Sequence, residues 1–121
     1  MPGFKEQFEA YGADYLSTME RFLGNEGMYL RFLDMLFQDE TLRQLGSALD
    51  SEEYDAAFAA AHTLKGVVSN MGLTPLYNSV CAIVEPLRAG EQRCDYAALY
   101  QKICVECEKV AELRKKLRGE E

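Results

Sequence analysis

The chain has 121 residues, 48% of them hydrophobic, and this length and composition predict one globular domain with a buried core. Its formal net charge of −7 argues against a nucleic-acid backbone or an anionic membrane as the main partner, because both require a basic surface. No apolar run approaches the length of a membrane span, and the N-terminus lacks the charged start and apolar centre of a signal peptide. We therefore expect a single domain, residues 1–121, in the cytoplasm.

The first part of the chain shows apolar residues at helical spacing. One stretch runs from Phe4 to about Phe22, and Gly12 is expected to divide it into a short lead-in helix and a longer one. The next helix begins near Glu26, with Asn25 as its N-cap. Its apolar face is wide and aromatic, formed by Met28, Tyr29, Phe32, Leu33, Leu36 and Phe37. Core packing is the simpler interpretation of this face, and an exposed docking surface is the alternative.

The helical pattern continues without a break through Leu49 and leads into a central helix, predicted from about Glu52 to Met71 with Asp50 or Ser51 as its cap. At 100° per residue one side of this helix is apolar. That side is formed by Tyr54, Ala57, Ala61, Leu64, Val68 and Met71. The only histidine, His62, falls on the opposite side. Its neighbours there are Asp55, Ala59, Gly66 and Ser69. We therefore expect the imidazole to point away from the core.

Two more helices complete the predicted fold. Gly72 has the position of a glycine that ends the central helix, and Thr74 and Pro75 suit the N-cap and first position of the next one. Asp95 is the expected cap of the last helix. No run alternates in the manner of a strand. The sequence thus predicts an all-α fold, an antiparallel four-helix bundle with a short extra N-terminal helix.

The four cysteines, Cys81, Cys94, Cys104 and Cys107, are expected to be free thiols in the absence of an export signal. Cys104 and Cys107 have the C-x-x-C spacing that can indicate zinc or redox chemistry. A second pair of ligands is missing, however, and the spacing lies within a helical pattern. Packing is therefore the favoured role, and we expect no metal site and no cofactor.

The residues around His62 favour one kind of chemistry. Lys65 follows at the helical spacing that brings its ammonium over the ring. Gly66 lies one turn after His62 and clears the approach to it, although a glycine inside a helix costs about 1 kcal/mol relative to alanine. A lone imidazole on a convex surface cannot build a metal site and is poorly placed as a general base. It can still attack an activated phosphoryl group, whose charge Lys65 would partly neutralise.

The segment AHTLKG at residues 61–66, followed by Gly72, closely resembles the motif of histidine-containing phosphotransfer (HPt) domains. The helical pattern and the length are similar too, so the resemblance covers nearly the whole chain. In that family the matching histidine accepts a phosphoryl group from an aspartate of a receiver domain and passes it to another receiver. The resemblance implies that His62 is the phosphoacceptor, that Lys65 is its charge partner and that Gly66 provides clearance.

The same resemblance implies a phosphorelay intermediate of two-component signalling, with response-regulator receivers or a sensor histidine kinase as partners. A docked receiver would cover the small residues Ala59, Gly66 and Ser69, and it would bring the aspartate and magnesium. Ser69 could donate a hydrogen bond near the ring or the phosphoryl group. The chain departs from the family at Val67, where a small polar residue is common. The helical wheel turns this valine toward the core, so we expect an effect on packing rather than on transfer.

Two other classes of function remain open. The first is a chemotaxis-type phosphotransfer domain, which uses the same bundle but receives its phosphoryl group from ATP through a kinase core. The second is a helical interaction module without phosphotransfer. The sequence contains no nucleotide-binding loop or kinase motif. We therefore expect a phosphotransfer protein and not an enzyme with kinase activity of its own.

Overall fold

The structure is a computed structural model that describes residues 3–119, so the outermost ends of the predicted domain lie outside it. Residues 3–119 form seven helices and no strand. Their bounds are α1 Phe4–Tyr11, α2 Tyr15–Arg21, α3 Glu26–Gln38, α4 Thr41–Asp50, α5 Tyr54–Asn70, α6 Thr74–Arg88 and α7 Tyr96–Leu117. The all-α class is confirmed, whereas the four-helix bundle with a short extra helix stays a prediction.

Helix α5 lies between two neighbours. It packs against α4 on one side and α6 on the other, and α7 contacts α1, α3, α4 and α6. The apolar side of α5 faces this core as predicted, because Ala57, Ala61, Leu64 and Val68 are at most 4% exposed. Burial of this side fixes the rotation of α5 about its axis. The opposite side, which carries His62, consequently faces solvent.

The N-terminal helical stretch is interrupted at Gly12, as predicted. Gly12 has a φ of 116°, a left-handed conformation that ends α1. The helix that follows is shorter than expected and ends at Arg21. The predicted N-cap of α3 is confirmed, because the Asn25 side chain accepts a hydrogen bond from the backbone N–H of Met28 at 2.9 Å.

The predicted continuous helix through Leu49 is wrong, because the chain breaks between α3 and α4. Asp39 adopts an extended conformation, with φ −75° and ψ 139°. Its carboxylate accepts hydrogen bonds from the backbone N–H of Thr41, at 2.7 Å, and from the Thr41 hydroxyl. An aspartate that bonds to the backbone two residues ahead stabilises a turn in place of a helix. This local bond outweighs the helical periodicity of the leucines.

The central helix begins at Tyr54, two residues later than predicted, and the predicted cap is also wrong. Asp50 is the last residue of α4, and Ser51 is the C-cap of that helix. Glu52 has a φ of +56°, and the Glu53 N–H closes the end of α4 by donating to the Ala48 carbonyl at 2.9 Å. The residues expected to begin α5 therefore end α4, and Glu53 precedes α5 without a capping side-chain bond.

The later helix ends agree more closely with the sequence. Gly72 follows α5 in the left-handed conformation with a φ of +69°, as predicted. Thr74 is the first residue of α6 and not its N-cap, which is Leu73. Asp95 precedes α7 as expected but makes no capping bond. Its carboxylate instead accepts a hydrogen bond from Arg93 Nε at 2.9 Å, and this bond lowers the pKa of Asp95.

Gly72 also allows the turn between α5 and α6 to approach Thr18 of α2 closely. A Cβ at position 72 would lie 2.1 Å from Oγ1 of the buried Thr18. We expect Gly72→Ala to lower the free energy of unfolding by about 2–5 kcal/mol, because it adds a clash to an unfavourable φ. Gly66→Ala is the matched control and should raise stability by up to about 1 kcal/mol. Equal denaturation midpoints for Gly72→Ala and the parent would contradict this assignment.

Candidate functional site

His62 is exposed on the solvent side of α5. The residues predicted to share its face, Asp55, Ala59, Gly66 and Ser69, are exposed as well. The helical wheel is therefore confirmed for both sides of α5. One edge of the imidazole is bordered by the Phe58 ring, with a centroid separation of 5.6 Å and an interplanar angle of 39°. Phe58 precedes His62 by one helical turn and restricts the ring on that edge.

Lys65 is half-buried beside His62, and its charge already has a partner. Its Nζ lies 3.8 Å from Oε1 of Glu85 on α6. The other oxygen of Glu85 lies 3.6 Å from Nε of Arg88, one turn later on α6. The Arg88 guanidinium stands 5.4 Å from the centre of the Phe58 ring. The Glu85 carboxylate thus lies between two cations, Lys65 of α5 and Arg88 of α6.

Gly66 faces open space. A Cβ built at this position meets no heavy atom within 4 Å outside its own helix. A role in close helix packing would require a neighbouring atom near the glycine, and none lies there. The glycine leaves accessible backbone one turn from the imidazole. Its role as clearance for a phosphoryl group stays a prediction.

A shallow groove of about 700 Å³ separates α3 from α5 beside Gly66. The α5 side of the groove includes Thr63, Gly66 and Val67. Its α3 side carries two exposed apolar residues, Phe32 at 43% and Met35 at 59% exposure. Thr63 follows His62 in the chain, so the groove connects α3 with the part of α5 next to the imidazole.

The aromatic face of α3 is therefore part core and part exposed, and its use as a docking surface stays a prediction. Tyr29 and Leu33 are fully buried and belong to the core. Phe37 is 36% exposed, and the guanidinium of Arg114 lies 5.2 Å from its ring centre. Phe32 contacts Phe22 on one edge and remains open to the groove on the other. The sequence alone could not show which residues of this face are buried, because their burial depends on which helices pack against α3.

The C-terminal end of α5 is held by polar contacts from α2 and α3. Arg21 Nε donates to the Asn70 carbonyl at 3.0 Å, and its Nη2 donates to the Ser69 carbonyl at 3.4 Å. The buried Tyr29 hydroxyl donates to the Met71 carbonyl at 2.8 Å. The bonds to the Asn70 and Met71 carbonyls satisfy groups that a helix end leaves without intrahelical partners, whereas the Ser69 carbonyl also accepts from the Gly72 N–H. They fix the backbone beneath the Ser69 side of the surface around His62.

The four cysteines are all free. Burial raises the pKa of the Cys107 thiol to about 11, with smaller contributions from Cys104 and Glu106. A thiol with a raised pKa carries little thiolate, the reactive form. Within residues 3–119 no three His, Cys, Asp or Glu side chains gather as a metal ion would require. The same residues contain no helix long and apolar enough to cross a bilayer.

The family model described as "Hpt domain" matches residues 4–119, nearly the whole chain. The chain belongs to the Hpt domain family. No match to a curated protein or to a solved structure reaches significance. Membership of this family implies histidine phosphotransfer in two-component signalling, where Hpt domains interact with receiver domains and kinases. The resemblance seen in the AHTLKG segment is thereby confirmed.

This Hpt domain has three residues at its site that the sequence alone did not indicate. Phe58 could have been found, because residues one turn apart on a helix are neighbours. Glu85 and Arg88 carried no comparable signal, since their position beside Lys65 depends on how α6 packs against α5. The individual roles predicted for His62 and Lys65 stay predictions.

Proposed function

We propose that this Hpt domain is a cytoplasmic phosphorelay intermediate. It accepts a phosphoryl group on His62 from the aspartate of one receiver domain and passes it to another receiver. The observation that carries this proposal is an exposed imidazole on α5 with a lysine ammonium beside it and open space at Gly66. The chain then acts as a phosphotransfer protein without kinase activity of its own.

The transfer requires little of this chain beyond a positioned nucleophile. The lone pair of an imidazole nitrogen attacks phosphorus, the bond from phosphorus to the aspartyl oxygen breaks, and the carboxylate leaves with the electron pair. Transfer onward reverses these steps on the second receiver. Phosphoryl transfer depends mainly on positioning and on neutralising the phosphoryl oxygens. Lys65 supplies one cation here, and the receiver supplies the aspartate together with magnesium.

The receiver docks on the surface around His62 in this proposal. It covers the small residues Ala59, Gly66 and Ser69, and Ser69 donates a hydrogen bond near the phosphoryl group. The groove between α3 and α5 extends this surface, because Gly66 lines the groove and Phe32 and Met35 border it. Exposed apolar side chains next to a reactive group are typical of a partner interface.

The phosphoryl donor distinguishes this proposal from its alternatives. We would present the protein with phosphorylated receiver domains and, separately, with a kinase core and ATP. Rapid labelling of His62 from a receiver supports the relay. Labelling from the kinase core alone would indicate a chemotaxis-type domain, and labelling from neither donor would leave a helical interaction module.

Met35→Glu tests whether the groove is part of the docking surface. We expect kcat/KM for transfer from a receiver to fall about tenfold, because the change places a charge in an apolar contact with the partner. Labelling by phosphoramidate, a small donor that needs no docking surface, should be unchanged. Stopped-time gels with phosphorylated receiver at several concentrations measure the effect.

The matched control is Val105→Glu, which introduces the same charge at an exposed apolar residue of α7, 47% exposed compared with 59% for Met35. This variant should transfer at the parental rate. Equal slowing in both variants would mean that net charge matters, and no slowing in Met35→Glu would remove the groove from the docking surface.

A further inference from the structure

Lys65, the cation expected to neutralise the phosphoryl group, is paired with a carboxylate when His62 carries no phosphoryl group. Its Nζ lies 3.8 Å from Oε1 of Glu85, beyond the length of a good hydrogen bond. Glu85 is 60% exposed, and its second oxygen faces Arg88 Nε at 3.6 Å. The pair is therefore loose and solvated, so a stronger anion can displace the carboxylate.

We propose that Glu85 is a positioning residue that competes with the phosphoryl group for Lys65 and thereby shortens the lifetime of phosphohistidine at His62. The proposal rests on His62 being the phosphoacceptor. Before phosphorylation Glu85 holds the ammonium beside the imidazole. After phosphorylation Lys65 divides its time between the phosphoryl oxygens and Glu85.

The exchange is feasible because Glu85 keeps a partner when Lys65 leaves. Arg88 follows it by one helical turn and remains within ion-pair range. Arg88 is itself restrained, since its guanidinium stands over the Phe58 ring that borders His62. The carboxylate is thus not left isolated in the phosphorylated state, and the two α6 residues stay where they are.

The competition has a definite sign. A carboxylate near the phosphoryl group repels its oxygens and withdraws the cation that would stabilise them. Both effects destabilise phosphohistidine relative to free imidazole. In a relay intermediate this keeps the group ready for transfer to the next receiver. Removing the charge of Glu85 should therefore lengthen the lifetime and draw more phosphoryl group from the receiver to His62 at equilibrium.

The experiment loads His62 without a receiver, using phosphoramidate. The P–N bond of the donor breaks, ammonia leaves, and a bond forms between phosphorus and the imidazole. Water then attacks phosphorus, and the imidazole leaves with the electron pair, so loss of label measures the lifetime. We expect Glu85→Gln to lengthen this lifetime roughly two- to fivefold, the range for an exposed ion pair.

A second variant shows whether Glu85 acts through Lys65. Lys65→Met keeps the unbranched side chain and removes the charge. Glu85→Gln should have little effect in the Lys65→Met background, because no cation remains to be competed for. The matched control is Glu112→Gln, which breaks the surface ion pair of Glu112 with Lys115 on α7. The exposed fraction of Glu112, 66%, is similar to the 60% of Glu85. The Glu112→Gln control should leave the phosphohistidine lifetime unchanged.

An unchanged lifetime in Glu85→Gln would overturn the inference, and so would an equal lengthening in both backgrounds. Failure of phosphoramidate to label His62 would overturn it as well. Failure of every receiver to transfer, with the lifetimes shifted as expected, would overturn only the relay. Transfer from a receiver with unshifted lifetimes would overturn only the role of Glu85.

Discussion

Replacing His62 with glutamine should reduce phosphoryl acceptance to background while leaving the fold intact. The side chain is exposed and packs only along one edge, against Phe58. Exposed substitutions away from caps and buried networks change stability by about 0.5 kcal/mol or less. Glutamine is polar and of similar size but has no nucleophilic ring nitrogen. Acid-labile, base-stable phosphate on the chain after exposure to a phosphorylated receiver measures the loss.

The same variant gives an internal check on the labelling chemistry. Helical circular dichroism and the midpoint of urea unfolding should match those of the parent protein. Label that persists in folded His62→Gln would show that another residue accepts the phosphoryl group, and the site described around α5 would then be wrong.

Gly66→Leu should slow transfer from a receiver by about 100-fold, because it fills the open space one turn from the imidazole and displaces the approaching group. The domain should remain folded and gain stability of about 1 kcal/mol, since leucine favours the helix and no heavy atom outside its own helix lies within 4 Å of the new Cβ. Activity and stability would thus change in opposite directions. Quenched-flow transfer and urea unfolding on one preparation measure both quantities.

Two further leucine variants locate the effect on the helix surface. Ala56→Leu lies on the exposed surface of α5, about 120° around the helix from His62, and should transfer at the parental rate. Ala59→Leu lies one turn before His62, on the predicted docking surface, and should slow transfer. A Gly66→Leu protein with unchanged transfer would contradict the clearance argument. Equal slowing in all three variants would mean that any added bulk on α5 is harmful.

The two sides of α5 could be predicted from the sequence, because a single physical rule assigns them. Apolar residues that recur every 3.6 positions must face the core, and Ala57, Ala61, Leu64 and Val68 are buried accordingly. The exposure of His62 follows from the same rule. The end of the helix was also predictable, since the left-handed conformation at Gly72 favours glycine.

The helix starts were less predictable because local hydrogen bonds compete with one another. Asp39 breaks the chain between α3 and α4 through its bonds to Thr41, although the leucine spacing predicts an uninterrupted helix. Ser51 looked like the cap of α5, yet the structure has it at the end of α4. A polar residue between two helices can cap the end of the first helix or the start of the second. The sequence alone does not show which of the two it caps.

The surroundings of His62 were the least predictable part of the site. The pairing of Lys65 with Glu85 joins α5 to α6, and the groove beside Gly66 lies between α5 and α3. Neither arrangement has a periodicity that a single sequence can reveal. Both depend on the relative rotation and spacing of packed helices, which many small contacts set together.

The most direct test of the relay is a two-step transfer of the same phosphoryl group. Radiolabelled phosphate is loaded from a phosphorylated receiver with magnesium, the donor is removed, and a second receiver is added. We expect label on His62 within the first step, and we expect it to move to the second receiver in the next step faster than it is lost by hydrolysis. Label that reaches His62 only from ATP through a kinase core, or that never leaves His62, would contradict a role as a relay intermediate.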